Sequence, residues 1–139
     1  MISFTTQNTA LPSLDYEAVR AWIDAVAESY GRSVGDMAYV FCDDEEMLRV
    51  NRAFLNHDYY TDIITFSRDE GRILSGDIII SLDTVRSNAE GLGVGYDAEL
   101  HRVIIHGILH LCGLNDKSPE ERAQMEAAEN KALALLAKD

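Results

Sequence analysis

Two histidines on one predicted helix carry the clearest chemical signal in this sequence. His106 and His110 lie four positions apart, and Asp116 follows six positions after the second histidine. Residues at i and i+4 share one face of a helix, so both imidazoles can point at the same ion. Gly113 supplies the left-handed turn that commonly ends a helix, which lets the chain reverse and bring Asp116 back as a third ligand. Two imidazoles and one carboxylate leave the fourth position of zinc open, which is typical of catalytic zinc.

The surroundings of the two histidines favour a metal site over two ordinary polar residues on a partly buried helix. The segment 103–112 is otherwise apolar, which predicts a mostly buried helix whose imidazoles need partners. Gly107 is a poor helix former inside this run and suggests that something approaches the backbone closely. Zinc proteases with the H-E-x-x-H motif carry their general base, a glutamate, at this position. A metallopeptidase of this type would have its metal ligands here but would lack its general base.

Several segments together resemble the YbeY family of bacterial metal-dependent endoribonucleases, also called ribosomal RNA maturation factors. The run 106–113 is similar to the family's His-Gly-x-Leu-His-Leu-x-Gly signature. Residues 61–66 resemble its T-D-V-L-S-F strand, and residues 75–81 resemble its G-D-I-x-I-S strand. The E-x3-M-x3-E pattern of its last helix is matched by Glu121, Met125 and Glu129. The resemblance is specific from about residue 40 onward, and before that it extends only to the layout.

The resemblance implies a single-strand-specific, metal-dependent endoribonuclease. Its implied roles are ribosomal RNA processing, including maturation of the 16S rRNA 3′ end, and ribosome quality control. Its implied partners are ribosomal RNA and the small ribosomal subunit or a ribosomal protein. We expect one Zn²⁺ ion on His106, His110 and Asp116, which would lower the pKa of a bound water toward neutrality. Attack by water would leave a 3′-hydroxyl and attack by the RNA's own 2′-hydroxyl a cyclic phosphate; the sequence leaves both open.

The chain departs from the family pattern at two positions. The family usually carries a third histidine where this chain has Asp116. Because a carboxylate passes more negative charge to the metal than imidazole does, we predict a less acidic metal-bound water or a preference for harder ions. An arginine of the family, thought to serve substrate handling, is Leu55 here. Its possible substitutes by type are Arg52, His57 and Arg68.

Each of the other polar residues near the motifs has two possible roles, one functional and one structural. His57 is a candidate general base by residue type, or a histidine in a surface turn. Glu129 and Glu121 either hold a ligand histidine in place from behind or lie on a helix surface. Lys117, next to Asp116, either contacts a substrate phosphate or is solvated.

Composition indicates one domain spanning residues 1–139, with 47% hydrophobic residues and therefore a real core. No apolar run approaches the ~20 residues that a membrane span needs, and the first residues do not resemble a signal peptide. Cys42 and Cys112 lie in different apolar segments and are expected to be reduced core residues, as in a cytoplasmic protein.

The excess of acidic residues limits how tightly the chain can bind RNA. Twelve lysines and arginines oppose 24 acidic residues, giving a formal charge of −12. Nucleic-acid binders normally carry an excess of basic residues. We therefore expect weak binding to RNA alone, with a ribosomal or protein partner supplying the rest.

The periodicity predicts an α+β fold with a single mixed sheet of about four strands, about five packed helices and the metal-binding helix at the centre. A turn at 68–71 predicts a hairpin, and residues 91–95 are expected to form a loop. The second helix is expected to bury Phe54. Ser118 and Glu121 predict a capping box with Pro119 at the first helical position. Three functions remain at this point: endoribonuclease, small metallopeptidase, and non-catalytic ribosome-assembly factor with a structural zinc.

Overall fold

A computed structural model describes residues 1–55 and 61–137, and the predicted α+β fold is confirmed. Within these residues the chain forms four strands and five helices. In chain order they are β1 (Ile2–Gln7), α1 (Tyr16–Ser29), β2 (Ser33–Cys42), α2 (Asp44–Leu55), β3 (Ile63–Ser67), β4 (Ile73–Ser81), α3 (Leu82–Leu92), α4 (Tyr96–Leu111) and α5 (Pro119–Ala137).

The four strands form one mixed sheet in the order β1-β2-β4-β3. β1, β2 and β4 run parallel, whereas β3 pairs antiparallel with β4. The predicted hairpin between β3 and β4 is confirmed, with Gly71 at a φ of 58° in the turn. Gly76 allows the two hairpin strands to approach, because a Cβ at this position would collide with the carbonyl oxygen of Phe66. The strand order places β3 at the edge of the sheet, paired with β4.

The strands β2 and β4 are longer than the apolar pattern indicates. β2 begins at Ser33, before the apolar run at 37–42, and β4 begins at Ile73, before the apolar run at 78–80. The two extensions pair with each other, and the register shifts between Val34 and Met37. An extension that is partly exposed and interrupted by a bulge lacks the continuous apolar run by which a buried strand is recognised.

Helix α4 occupies the centre of the helical layer, as predicted. It packs against α1, α3, α5, β3 and β4, and its buried side chains include Leu100, Ile104 and Ile108. The close approach expected at Gly107 is confirmed. A Cβ there would lie 3.1 Å from the Cδ1 atoms of both Ile63 and Ile78, so the helix backbone rests directly on the sheet.

Two local expectations are wrong. Phe54 is 65% exposed and contacts Phe66 edge-on instead of joining the core. Helix α3 continues through Gly91 to Leu92, and Gly93 then ends it in the left-handed conformation with a φ of 69°. A glycine inside a helix weakens it without preventing it, and here Gly93 supplies the C-terminal turn.

The start of α5 follows the sequence prediction. The backbone N–H of Ser118 donates to the Glu121 carboxylate at 3.0 Å, and the Glu121 N–H donates to the Ser118 hydroxyl at 3.1 Å. This capping box fixes the direction in which α5 leaves the Asp116 turn. No helix in residues 1–55 and 61–137 is long and apolar enough to cross a membrane.

Candidate metal centre and cleft

His106 and His110 of α4 open onto a cleft of about 420 Å³ between the start of β3, α4 and α5. The cleft is predominantly polar and gathers residues from the start of β3, from α4, from the turn after α4 and from α5. Its described lining comprises Thr61, Asp62, Ile63, Thr65, Glu99, Arg102, Val103, His106, His110, Asp116 and Glu129. The three residues predicted as metal ligands therefore share one cleft.

Both nitrogens of His106 have defined neighbours. Nδ1 lies 2.7 Å from Oε2 of Glu129, and Nε2 lies 3.4 Å from Oδ2 of Asp116. Because a carboxylate only accepts, the short contact places a hydrogen on Nδ1. The lone pair of a neutral His106 then faces a second carboxylate oxygen. Two electron-rich atoms in this arrangement need a cation between them, either a proton on the imidazole or a metal ion.

His110 is oriented by the turn that follows α4. Its Nδ1 lies 3.2 Å from the carbonyl oxygen of Leu114, so Nδ1 donates and Nε2 keeps a free lone pair. Gly113, with a φ of 107°, lets the chain reverse, and its N–H donates to the His110 carbonyl at 3.0 Å. The left-handed turn predicted at this glycine is thus present, and it returns Asp116 to the cleft.

The donor set fits a divalent ion of the zinc type. Nitrogen and oxygen ligands lie about 2.0–2.2 Å from zinc, so two of them at tetrahedral angles are separated by roughly 3.3–3.5 Å. The 3.4 Å between His106 Nε2 and Asp116 Oδ2 matches this spacing. Within residues 1–55 and 61–137, however, no group of three or more His, Cys, Asp or Glu side chains is arranged to hold a metal. The fit thus rests on this pair and on His110, an exposed residue that lines the same cleft.

The cleft perturbs both partners of the His106–Glu129 contact. Burial is the largest effect on His106 and opposes its protonation. The hydrogen bond and charge of Glu129 and the charges of Asp116 and Asp62 outweigh it, so the pKa of His106 is raised. Burial likewise favours the neutral form of Glu129, but hydrogen bonds from His106 and Arg102 outweigh it and lower the pKa of the carboxyl. The two shifts agree, because each group stabilises the charged form of the other.

Two further carboxyl groups line the cleft with raised pKa values. Burial is the main cause at Asp62, opposed by His106 and by the N–H groups of Asp62 and Ile63. Burial also dominates at Glu99, which is 7% exposed, and the charge of Asp62 adds to it. The described lining of the cleft therefore gathers four carboxyl groups near the histidines, and burial favours the neutral form of two of them.

Arg102 is the cation of the cleft wall that the sequence analysis missed. Its Nη1 donates to Oε1 of Glu129 at 2.8 Å, and its Nη2 donates to the side-chain oxygen of Asn130 at 2.7 Å. Helical spacing could have indicated it, because Arg102 lies one turn before His106 on α4. Glu99, at seven positions before His106, lies on the same face by the same rule.

The other predicted site residues lie in different surroundings. The Glu121 carboxylate caps α5, and hydrogen bonds with Ser118 lower its pKa. Arg52 lines a separate groove beside Asn8 and Arg49. The remaining two described residues lie outside the cleft lining: Arg68 pairs with Asp77 at 2.6 Å, and Lys117 is exposed. His57, the candidate base, lies outside the described residues.

The fold has a counterpart among solved structures. A Thermotoga maritima protein whose structure was determined in solution superposes with a TM-score of 0.67, covering 99% of this chain and 93% of its own. At 22% sequence identity this likeness concerns the fold alone.

Sequence comparison identifies the family. A protein from Phocaeicola vulgatus named Endoribonuclease YbeY is 61% identical over 98% of this chain and 99% of its own length. A protein of the same name from Bacteroides thetaiotaomicron is 58% identical over 96% of this chain and 98% of its own. The family model described as Endoribonuclease YbeY matches residues 2–137. This chain therefore belongs to the Endoribonuclease YbeY family.

Proposed function

We propose that this chain is a metal-dependent endoribonuclease, a hydrolase that cuts phosphodiester bonds in single-stranded RNA. Relatives at 56–61% identity carry the name endoribonuclease. The observation that carries the metal dependence is the lone pair of His106 Nε2 facing Asp116 Oδ2 at 3.4 Å. A pair of this kind binds a cation, and the cleft around it is open enough for a substrate.

One zinc ion is proposed on His106, His110 and Asp116. When bound, it would act as a Lewis acid toward a phosphodiester oxygen and make water a stronger nucleophile at neutral pH. The protein's own contribution is orientation. Glu129 fixes the ring of His106 through Nδ1, and the Leu114 carbonyl fixes the ring of His110 in the same way. Both rings thereby keep the lone pair of Nε2 available for a metal ion.

The charge of the cleft supports a cation requirement for RNA binding as well as for chemistry. Four carboxylates line it, and one guanidinium opposes them among the described lining residues: Asp62, Glu99, Asp116 and Glu129 against Arg102. A phosphodiester entering this cleft meets excess negative charge unless a divalent ion compensates it. We therefore expect RNA affinity to fall when metal is removed.

The proposed substrate is ribosomal RNA, with maturation of the 16S rRNA 3′ end and ribosome quality control as the processes. The overall charge of −12 favours a partner on the small ribosomal subunit, or a ribosomal protein, that brings RNA to the cleft. The free thiols of Cys42 and Cys112 fit a reducing cytoplasm. Residues 1–139 are proposed to act as one domain, since the main core joins side chains from β1 through α5.

The competing functions fit less well. A metallopeptidase of the H-E-x-x-H type needs its glutamate at position 107, where this chain has a glycine whose backbone packs closely on the side chains of Ile63 and Ile78. An assembly factor with a structural zinc calls for a closed site. Here Asp116 has a 43% exposed side chain, and His110 is exposed. An open site favours an ion with an exchangeable position.

The test combines metal and substrate. Purified protein is stripped with a chelator, reloaded with one equivalent of zinc, and assayed on single-stranded and duplex RNA and on casein. We expect cleavage of single-stranded RNA only in the reloaded sample. Casein digestion would support the peptidase. Unfolding when zinc is stripped, together with RNA binding but no cleavage in the reloaded sample, would support the assembly factor with a structural zinc.

A further inference from the structure

A chain of hydrogen bonds extends behind His106, from the cleft to the surface of α5. Glu129 accepts from His106 through Oε2 at 2.7 Å and from Arg102 through Oε1 at 2.8 Å. Arg102 uses its other terminal nitrogen to donate to Asn130 at 2.7 Å. Each oxygen of the Glu129 carboxylate thus has a separate partner, and the carboxylate cannot rotate without breaking one bond.

We propose that Arg102, anchored by Asn130, is a positioning residue for the metal site and acts through Glu129 on His106. Histidine ligands of metals usually donate their second nitrogen to a carboxylate, and such outer partners change metal affinity by about 10–100-fold when removed. Arg102 adds a further layer by fixing the plane of that carboxylate. The inference rests on the proposed metal site and assigns it a determinant beyond its ligands.

The geometry argues against a substrate-binding role for Arg102. An arginine that receives a phosphate presents two nitrogens of its fork to solvent. Here each terminal nitrogen already donates one hydrogen bond, to Glu129 or to Asn130, and the Arg102 side chain is only 31% exposed. The Glu129 side chain is only 10% exposed, so the pair lies mostly out of water. Releasing Arg102 to a phosphate would leave the buried carboxylate half unpaired.

A purely structural ion pair between α4 and α5 is the alternative, and it makes a different prediction. Loss of a structural pair lowers the stability of the apo-protein but leaves zinc affinity unchanged once the protein is folded. Loss of a positioning residue weakens zinc binding in folded protein and frees the His106 ring. Zinc affinity and the ring tautomer therefore separate the two roles.

The experiment compares Arg102→Met, Arg102→Lys and Asn130→Ala with wild type, with Arg49→Met as the matched control. Arg49 makes an equally short double contact with Glu46, at 2.8 and 2.7 Å, on the exposed side of α2. Zinc affinity is measured by competition with a chromophoric chelator, below the unfolding temperature of each variant. The Nδ1–H of His106 is followed by nitrogen-15 NMR in the metal-free protein.

We expect Arg102→Met to weaken zinc binding by about 10-fold or more and to broaden or lose the Nδ1–H signal. Arg102→Lys should recover part of this loss, because it keeps the charge and loses the fork. Asn130→Ala should have a smaller effect, and Arg49→Met none. Zinc affinity in folded Arg102→Met within twofold of wild type would overturn the inference alone. A wild-type protein that binds no zinc would overturn the proposed metal site and the inference with it.

Discussion

Two groups of aspartate and glutamate side chains in this protein differ in the partners that surround them. One lies at the start of α2, where Asp43, Asp44 and Glu46 precede or open the helix, and Asp83 joins them from α3. Each has a local partner there. Asp43 accepts from the Glu46 N–H at 2.9 Å, and Asp44 accepts from the hydroxyls of Ser81 and Thr84 at 2.6 and 2.5 Å. The other group lines the cleft.

The cleft carboxylates differ in what they face. Asp116 and Glu129 approach opposite nitrogens of one imidazole, and Asp62 and Glu99 have pKa values raised by burial. At α2 the carboxylates are paired locally, with backbone N–H groups and hydroxyls as in helix caps, and with the Arg49 guanidinium in the case of Glu46. At the cleft they gather around histidines with too few cations to balance them. The contrast teaches that acidic residues indicate a site by their partners rather than by their number.

The largest effect is expected from Asp116→Ala, which removes the carboxylate facing His106. Zinc affinity should fall by at least about 100-fold and RNA cleavage should be lost, because one proposed ligand is gone. Isothermal titration with zinc and a single-stranded RNA cleavage assay measure both.

Asp116→His tests the charge of the third ligand. Imidazole leaves more positive charge on the ion than a carboxylate does, so the pH profile of cleavage should move to lower pH. An unchanged profile would contradict the role given to this carboxylate.

Glu129→Gln comes second. The amide can still accept from His106 but loses the charge that holds both His106 and Arg102. Zinc affinity should fall by about 10-fold, at the lower end of the range for outer partners of metal ligands. Competition with a chelator provides the measurement, and Glu126→Gln, on the exposed surface of the same helix, is the control. Equal affinities for the two variants would remove Glu129 from the site.

Sequence reasoning found the ligand candidates because their spacing is local. His106 and His110 share a helix face by periodicity, and Gly113 marks the turn that returns Asp116. The close approach at Gly107 was also predictable, since a glycine inside an apolar helix commonly marks a place where another element packs against the backbone.

The side chains that contact those ligand candidates were harder to predict from the sequence. Arg102 and Glu129 lie on different helices, 27 positions apart, and only the crossing of α4 and α5 brings them together. Arg52 and Arg68 were chosen by residue type, and the fold puts them in other grooves. Contacts between elements depend on packing angles that a single sequence does not specify. Phe54 shows the same limit, because its apolar type indicated burial and the fold leaves it 65% exposed.

Asp44→Ala tests the carboxylates at the start of α2 and should change only the stability of the protein. The hydroxyls of buried Ser81 and half-buried Thr84 would lose their acceptor, at a cost of about 1–2 kcal/mol in the free energy of unfolding. Zinc affinity and RNA cleavage should match wild type. Urea unfolding gives the stability, and Asp44→Asn, which keeps an acceptor oxygen, should lose less. A change in zinc affinity in folded Asp44→Ala would show that the two acidic groups are coupled.

Gly107→Ala should have the smallest effect. The added methyl group lies 3.1 Å from the tips of Ile63 and Ile78, which must shift by a few tenths of an ångström. Overpacking of this kind costs about 1–3 kcal/mol, and the higher helix propensity of alanine offsets about 1 kcal/mol of it. We expect a net destabilisation of about 1 kcal/mol in urea unfolding. Gly91→Ala in α3, where a Cβ meets nothing within 4 Å, should be neutral or stabilising. Stabilisation by Gly107→Ala would contradict the close packing.

The central claim is that the cleft of α4 holds a metal ion that RNA cleavage requires. The most direct test measures zinc content and single-stranded RNA cleavage on one purified sample each of wild type and His110→Ala. His110 is exposed, so its loss should leave the fold intact while removing a proposed ligand. We predict one equivalent of zinc and cleavage in wild type, with both lost in the variant. Cleavage that persists in His110→Ala without bound metal would contradict the claim.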